Sequence, residues 1–264
     1  MSVIILTPSY NGEEVLPEFL SAYEKQRPDD IVFYHLFCTN NCTDRTNEII
    51  DDYTQLVMPR SRRISWNYPK DFIARMGTPY AALAIARQRL LLEAGKMMCR
   101  FPSKPTHVLL TDDDTFPVHD DAIKTAMAWG VDILDGSYLR HFPEGTSLAS
   151  KWLDALGRPF SVEEIFAPLS EPYVTSAGFM LLSRRVVMDI LNRKLFWWPI
   201  FDDRQGSHPP SADDFGFCIG ARKLKYTIFL DGTMMLKHLW RDRKRPWWSD
   251  GKQYQPFEFK EAVV

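Results

Sequence analysis

Three groups of residues carry side chains able to do chemistry at a shared point. The first is Thr111-Asp112-Asp113-Asp114, which follows the clearest strand-like run in the chain, His107-Val108-Leu109-Leu110. An Asp-x-Asp at the end of a strand is the arrangement that grips a divalent cation on a nucleotide diphosphate. Hard carboxylate oxygens suit Mg²⁺ or Mn²⁺, and phosphate oxygens and water complete the coordination. The same triplet also fits a solvated turn, so its place after an apolar strand carries the weight. The second group is Ser211-Ala212-Asp213-Asp214-Phe215. A carboxylate there could take the proton from an acceptor hydroxyl as it attacks; the same residues also fit a helix N-cap with acids in its first turn. The third is His238, just after an expected strand, which fits a structural histidine but, as a third metal ligand beside Asp114, would suit Mn²⁺.

These groups need elements to position them. Val3 to Leu6, Ile31 to Phe37, His107 to Leu110, Asp132 to Gly136, Phe179 to Leu182 and Tyr226 to Leu230 read as strands. Helical spacing falls at about 13–26, 44–56, 78–96, 119–128, from Val186, and at 213–224, while 57–77 reads as irregular and basic. Alternation of this kind predicts an α/β domain with a mostly parallel sheet. In such sheets ligands sit beyond the carboxyl ends of the strands. Three of those ends are polar: Ser9-Tyr10-Asn11, Asn40-Asn41-Cys42-Thr43-Asp44 and Asp112-Asp113-Asp114.

Composition narrows the function classes. The 264 residues are 45% hydrophobic and 25% charged, which excludes a disordered or fibrous chain. A net charge of -2 argues against overall electrostatic attraction to nucleic acid, though not against local patches. No apolar run approaches the roughly 20 residues that span a bilayer, and the start of the chain resembles neither a secretory signal nor an anchor. Four scattered cysteines without a Cys-x-x-Cys pair indicate neither a disulfide framework nor a zinc site, and a cytoplasmic setting is expected, a host's if the chain is phage-encoded.

The order of these pieces resembles nucleotide-sugar-dependent glycosyltransferases of the GT-A fold, especially family 2-like members of bacteria and phages. The matching segments are Ile5 to Gly12, Ile85 to Leu90, His107 to Pro117, Thr175 to Leu181, Asp213 to Arg222, and Lys237-His238. The resemblance implies a GT-A domain over 1–240, with 1–114 binding the nucleotide and 115–240 shaping the donor-sugar and acceptor pocket, and a C-terminal extension over 241–264. It places Thr7, Ser9, Tyr10 and Asn11 near the base and ribose, Asn40 or Asn41 against the base, and Arg87 and Asp113 at the donor nucleotide or its phosphates. Asp112 and Asp114 become metal-binding acids, with Asp114 and His238 the direct ligands. Asp213-Asp214 stands for the usual Glu-Asp pair, Asp214 being the base of an inverting transfer. Gly178 lets the donor sugar lie close. The nucleotide is expected to be UDP, and the metal Mn²⁺ or Mg²⁺.

The acceptor is less legible: a glycan, a small molecule or a DNA base. Two basic stretches, Arg60 to Arg63 and Lys237 to Arg245, interleave with Trp66, Tyr68, Trp240, Trp247 and Trp248, which could stack sugars or bases. A phage-type enzyme acting on a hydroxylated DNA base is thus the alternative acceptor reading. A sugar nucleotidyltransferase would need a Gly-rich loop after the first strand, which Thr7 to Asn11 is not. A non-catalytic nucleotide- or glycan-binding module would have little use for Asp112, Asp114, Asp214 and His238 together.

Overall fold

The computed structural model describes residues 1–26, 30–56, 60–73, 80–100, 105–137, 152–156, 158, 160–193 and 213–239. The strands are β1 (Ser2–Ser9), β2 (Val32–Thr39), β3 (Arg62–Ser65), β4 (His107–Thr111), β5 (Thr115–Pro117), β6 (Ile133–Ser137), β7 (Phe179–Ser183) and β8 (Phe229–His238). The helices are α1 (Leu16–Lys25), α2 (Thr46–Leu56), α3 (Tyr80–Arg100), α4 (Ala122–Ala128), α5 (Val162–Ile165), α6 (Arg184–Asn192) and α7 (Asp213–Lys223).

β1 is buried along its whole length, and its alternating side chains feed two cores. Val3 and Ile5 enter one core, with Phe19 and Tyr23 of α1, Ile50 of α2 and Ile123 of α4. Ile4 and Leu6 enter the other, with Leu90 and Ala94 of α3, Val187 of α6 and Cys218 of α7. Cover on both faces is why an unbroken apolar run makes a strand here. α3 lies against β1 and β2, and Ala81, Ala84, Ala86 and Ala94 are fully buried, since small side chains let a helix approach a sheet closely.

The strand order is β3-β2-β1-β4-β7-β6-β8-β5. β1 pairs in parallel with β2 and β4, β2 with β3, and β6 with β8. β7 runs antiparallel between β4 and β6, and β5 antiparallel to β8. The sheet is therefore mixed, parallel through its first half. Ser9 pairs with Thr39, so β1 and β2 finish level, and Leu6 pairs with Leu110, so β4 ends two residues short of them at the same edge, here called the front.

Three elements differ from the sequence reading. β3 lies in the stretch read as irregular, β5 is an additional short strand, and β8 runs on to His238 instead of ending at Leu230. No described helix is long and apolar enough to cross a membrane. All four cysteines are free thiols. Residues 194–212, with Ser211 and Ala212, and the residues from 240 onward, with Trp240, Trp247, Trp248 and Arg245, lie outside the described residues.

Candidate active site

The loops that follow β1 and β2 are laced together. Asn11 adopts φ 46, a left-handed turn that Asn tolerates, and its Oδ1 accepts from the Thr43 amide at 2.9 Å. The Gly12 amide donates to Thr46 Oγ1 at 2.6 Å, and the Glu13 amide to Asp44 Oδ2 at 3.1 Å. Asp44 Oδ1 also accepts from the Thr46 amide at 3.1 Å, capping α2.

Asn41, at φ 44, acts as a staple. Its side chain donates to the Tyr68 carbonyl and accepts from the Tyr68 amide, both at 2.9 Å, and its own amide donates to Asn67 Oδ1. With the Trp66 amide on the Thr39 carbonyl, this sets Trp66, Tyr68 and Phe72 as an aromatic trio at the front. Arg89 lies over the Trp66 ring at 5.2 Å. Asn41 thus places the aromatics and its amide is taken up in doing so; Asn40, 6% exposed, and half-buried Tyr10 border the same loops. Thr7 is set apart: it shares the inward face of Val3 and Ile5, is fully buried, and hydrogen-bonds His35 at 2.7 Å beneath the front. Half-buried Arg63 is paired with Asp51 of α2 through two hydrogen bonds of 2.7 and 2.6 Å.

The Asp triplet forms a tight turn held by Thr111, whose hydroxyl meets the carbonyls of Asp112 and Thr115 at 3.1 and 3.0 Å and accepts from Tyr23 at 3.0 Å. The turn sends its three carboxylates to three partners. Asp112 Oδ1 pairs with Arg87 at 2.5 Å, Asp113 Oδ2 accepts from Ser9 Oγ at 2.5 Å, and Asp114 Oδ1 stands 3.8 Å from His238 Nε2. Pairing follows from burial: the Arg87 side chain is 2% exposed, and a guanidinium taken that far from water needs a counter-charge. Asp112 and Arg87, expected on the metal and the donor phosphates, are therefore joined to one another.

His238 reaches Asp114 because β5 and β8 pair. Thr115 is in register with His238, and the Leu239 amide donates to the Asp114 carbonyl at 2.7 Å. Donor atoms about 2.1 Å from one ion stand roughly 3.0–4.2 Å apart, so the pair fits a shared divalent cation with only small side-chain adjustment. Among the described residues no group of three such ligands gathers, which leaves the other positions to phosphate and water.

Gly12 lies against this cluster. A Cβ there would sit 2.7 Å from Asp113 Oδ2 and 2.9 Å from Ser9 Oγ. Gly12→Ala is therefore expected to break the Ser9–Asp113 bond and cost about 1–3 kcal/mol, read as a lower urea midpoint; an unchanged midpoint would show that the turn yields freely.

Asp214 lies in the first turn of α7 and is 1% exposed; the Asp213 side chain lies outside the described residues. Asp214, Cys218 and Arg222 form one stripe along the helix at i, i+4 spacing. Cys218 Sγ accepts from the Thr175 amide at 3.4 Å, and Arg222 donates to the carbonyls of Tyr173 and Pro172 at 2.8 and 2.5 Å. The stripe fixes α7 to the segment leading to Gly178, itself buried just before β7.

Sequence reading missed Asp135. It is fully buried in the middle of β6, where its Oδ2 accepts from Trp152 Nε1 at 3.1 Å, from Ser176 Oγ at 3.4 Å and from Thr175 Oγ1. Burial, reinforced by the nearby Asp214 charge, pushes its carboxyl up to about 8. The signal was an acid inside an otherwise apolar strand, Ile133-Leu134-Asp135.

No protein-family model matches the chain, and no curated protein matches it in sequence. In three dimensions it is similar to Staphylococcus aureus TarS 1-349 in complex with UDP-GlcNAc, with a TM-score of 0.53 and 17% identity, over 89% of this chain and 57% of that one. The UDP complex of TarS 1-349 gives 0.51 at 17% identity, over 89% and 59%. A mycobacterial protein gives 0.51 at 13% identity, over 91% and 68%. The chain thus spans a little over half the length of the TarS structures. The fold is that of GT-A glycosyltransferases.

Proposed function

We propose that the chain is a metal-dependent glycosyltransferase that moves a sugar from a UDP-sugar to an acceptor hydroxyl, with inversion. The observation that carries this is the Asp turn at the front, whose third carboxylate faces His238 while the other two are fixed by Arg87 and Ser9. The UDP-GlcNAc bound to TarS supports the choice of nucleotide.

Asp114 and His238 would hold Mn²⁺ or Mg²⁺, which supplies positive charge to the departing diphosphate. Arg87 and Ser9 hold the turn rigid, so no reorganisation is needed as charge develops. Tyr10, Asn40 and the Trp66–Tyr68 pair border the space for base and ribose. Asp214 takes the acceptor proton as the acceptor oxygen attacks the anomeric carbon; the bond to the diphosphate breaks on the opposite face, and its electron pair leaves with the nucleotide.

The deciding measurement is thermal stability with UDP, GDP, CMP and dTDP, each with Mn²⁺ and with EDTA. UDP with metal at about 100 times its dissociation constant should add about 2.7 kcal/mol. Asp114→Asn and His238→Gln should each abolish the metal-dependent part of that shift. No shift with any nucleotide overturns the donor site, and a product of retained configuration by NMR overturns inversion.

A further inference from the structure

The front uses the carboxyl ends of the strands, and a second concavity lies away from it. A groove of about 780 Å³ opens between the outer edge of the sheet at β2 and β3 and the C-terminal half of α3. Arg62 pairs with Leu36, three residues short of the end of β2. Along α3, Lys96 and Arg100 lie about 14 and 20 Å beyond Arg87, the residue that reaches the front. The groove and the front are thus separate places on the same first half of the chain.

Its lining is strongly basic. Arg60 and Arg62 come from the strand side, two residues apart; Lys96 and Arg100 come from the helix side, one turn apart on a single face and about 6 Å from each other. Glu93 is the acidic member: it binds Lys96 at 2.5 Å and also pairs with Arg62, which pins one cation of each row toward the middle. Arg60 lies over the Tyr34 ring at 6.0 Å. Four basic groups against one acidic group is a local excess in a chain whose net charge is -2. The groove's volume falls in the range of about 300–1,000 Å³ typical of ligand sites, and guanidinium forks match phosphate oxygens in geometry as well as charge.

We propose that this groove is a second anion site that binds a ligand carrying two or more phosphate groups. The two rows of cations face one another across the concavity, so a phosphate between them meets positive charge from both walls, and the spacing within a row calls for a second phosphate on the same ligand. Free polyphosphorylated molecules and short phosphodiester chains share that chemistry.

The test is calorimetric titration of the full chain with inorganic tripolyphosphate and, separately, with an eight-residue oligothymidylate, both in EDTA at low salt. At least one should bind, with affinity falling steeply as salt rises. The combined variant Arg60→Ala, Lys96→Ala, Arg100→Ala should weaken that binding at least 10-fold, and Asp114→Asn should leave it unchanged. Glu93→Gln keeps every cation and should tighten it several-fold, a gain that loss of folding cannot imitate. Tighter binding of the oligothymidylate assigns the phosphodiester source; tighter or equal binding of tripolyphosphate assigns the free one. Binding of neither, or binding that the triple variant leaves intact, overturns the proposal.

Discussion

Replacing Asp214 with Asn should lower sugar transfer by about 10²–10⁴-fold, the range general-base catalysis supplies, while the metal-dependent stabilisation by nucleotide persists. The substitution keeps volume and removes the ability to accept a proton. Its environment argues for a placed rather than an incidental carboxylate. Asp214 is 1% exposed and belongs to the stripe whose other members, Cys218 and Arg222, grip the backbone of Pro172 to Thr175. Because that grip does not pass through the Asp214 carboxylate, the helix should stay in position in the variant. Single-turnover rates and nucleotide-induced melting shifts on the same preparation decide the matter. A variant that transfers at the wild-type rate removes Asp214 from the chemistry, and one that loses both properties makes it a structural residue.

Asp135→Asn should change how stability depends on pH by a large amount. The Asp135 carboxyl holds its proton to about pH 8 in the folded protein, against an ordinary value of 3.8. Between those limits the folded state binds one more proton than the unfolded chain, so stability falls as pH rises from about 4 to about 8. At 1.36 kcal/mol per unit, the span amounts to on the order of 5 kcal/mol. Asn is neutral throughout and can still accept from Trp152 and Thr175. Urea midpoints of both proteins at pH 5 and pH 8 give the result: the difference between them should swing by several kcal/mol in favour of the variant at the higher pH. A constant offset would mean that Asp135 is ionised in the fold. At neutral pH the protonated form also adds no second negative charge beside Asp214.

Much of the frame was legible because burial leaves a periodic trace. β1 and β4 stood out as apolar runs, α3 through its alanines, and the polar loops after β1, β2 and β4 proved to share one edge. The elements that escaped are those made by their partners. Arg62 to Ser65 has no strand pattern of its own and becomes β3 by pairing with β2. Thr115 to Pro117 is three residues long and ends in proline, yet its pairing brings His238 to Asp114. β8 passes through Asp231-Gly232-Thr233, which reads as a turn, and its pairing with β6 shifts register there between Gly136 and Ser137. Within the site, the residue types were readable but the direction of each carboxylate was not, since Arg87, Ser9 and His238 decide it from elsewhere in the chain. Thr7 was not legible in the same way: β1 buries side chains on both faces, and the contact of Thr7 with His35 is made by β2.

The contact between Asp114 and His238 has a consequence for the order of events on the ribosome. The two residues are far apart in the chain, and they meet only when β8 has been added beside β5. Long-range pairings of this kind close late in folding, and an emerging chain folds from its N-terminus first. The nascent first half therefore carries Ser9, Arg87 and the Asp turn while only one member of the proposed metal pair exists. An ion held by that pair as proposed would find both ligands only after synthesis has passed residue 238 and the two halves of the sheet have joined.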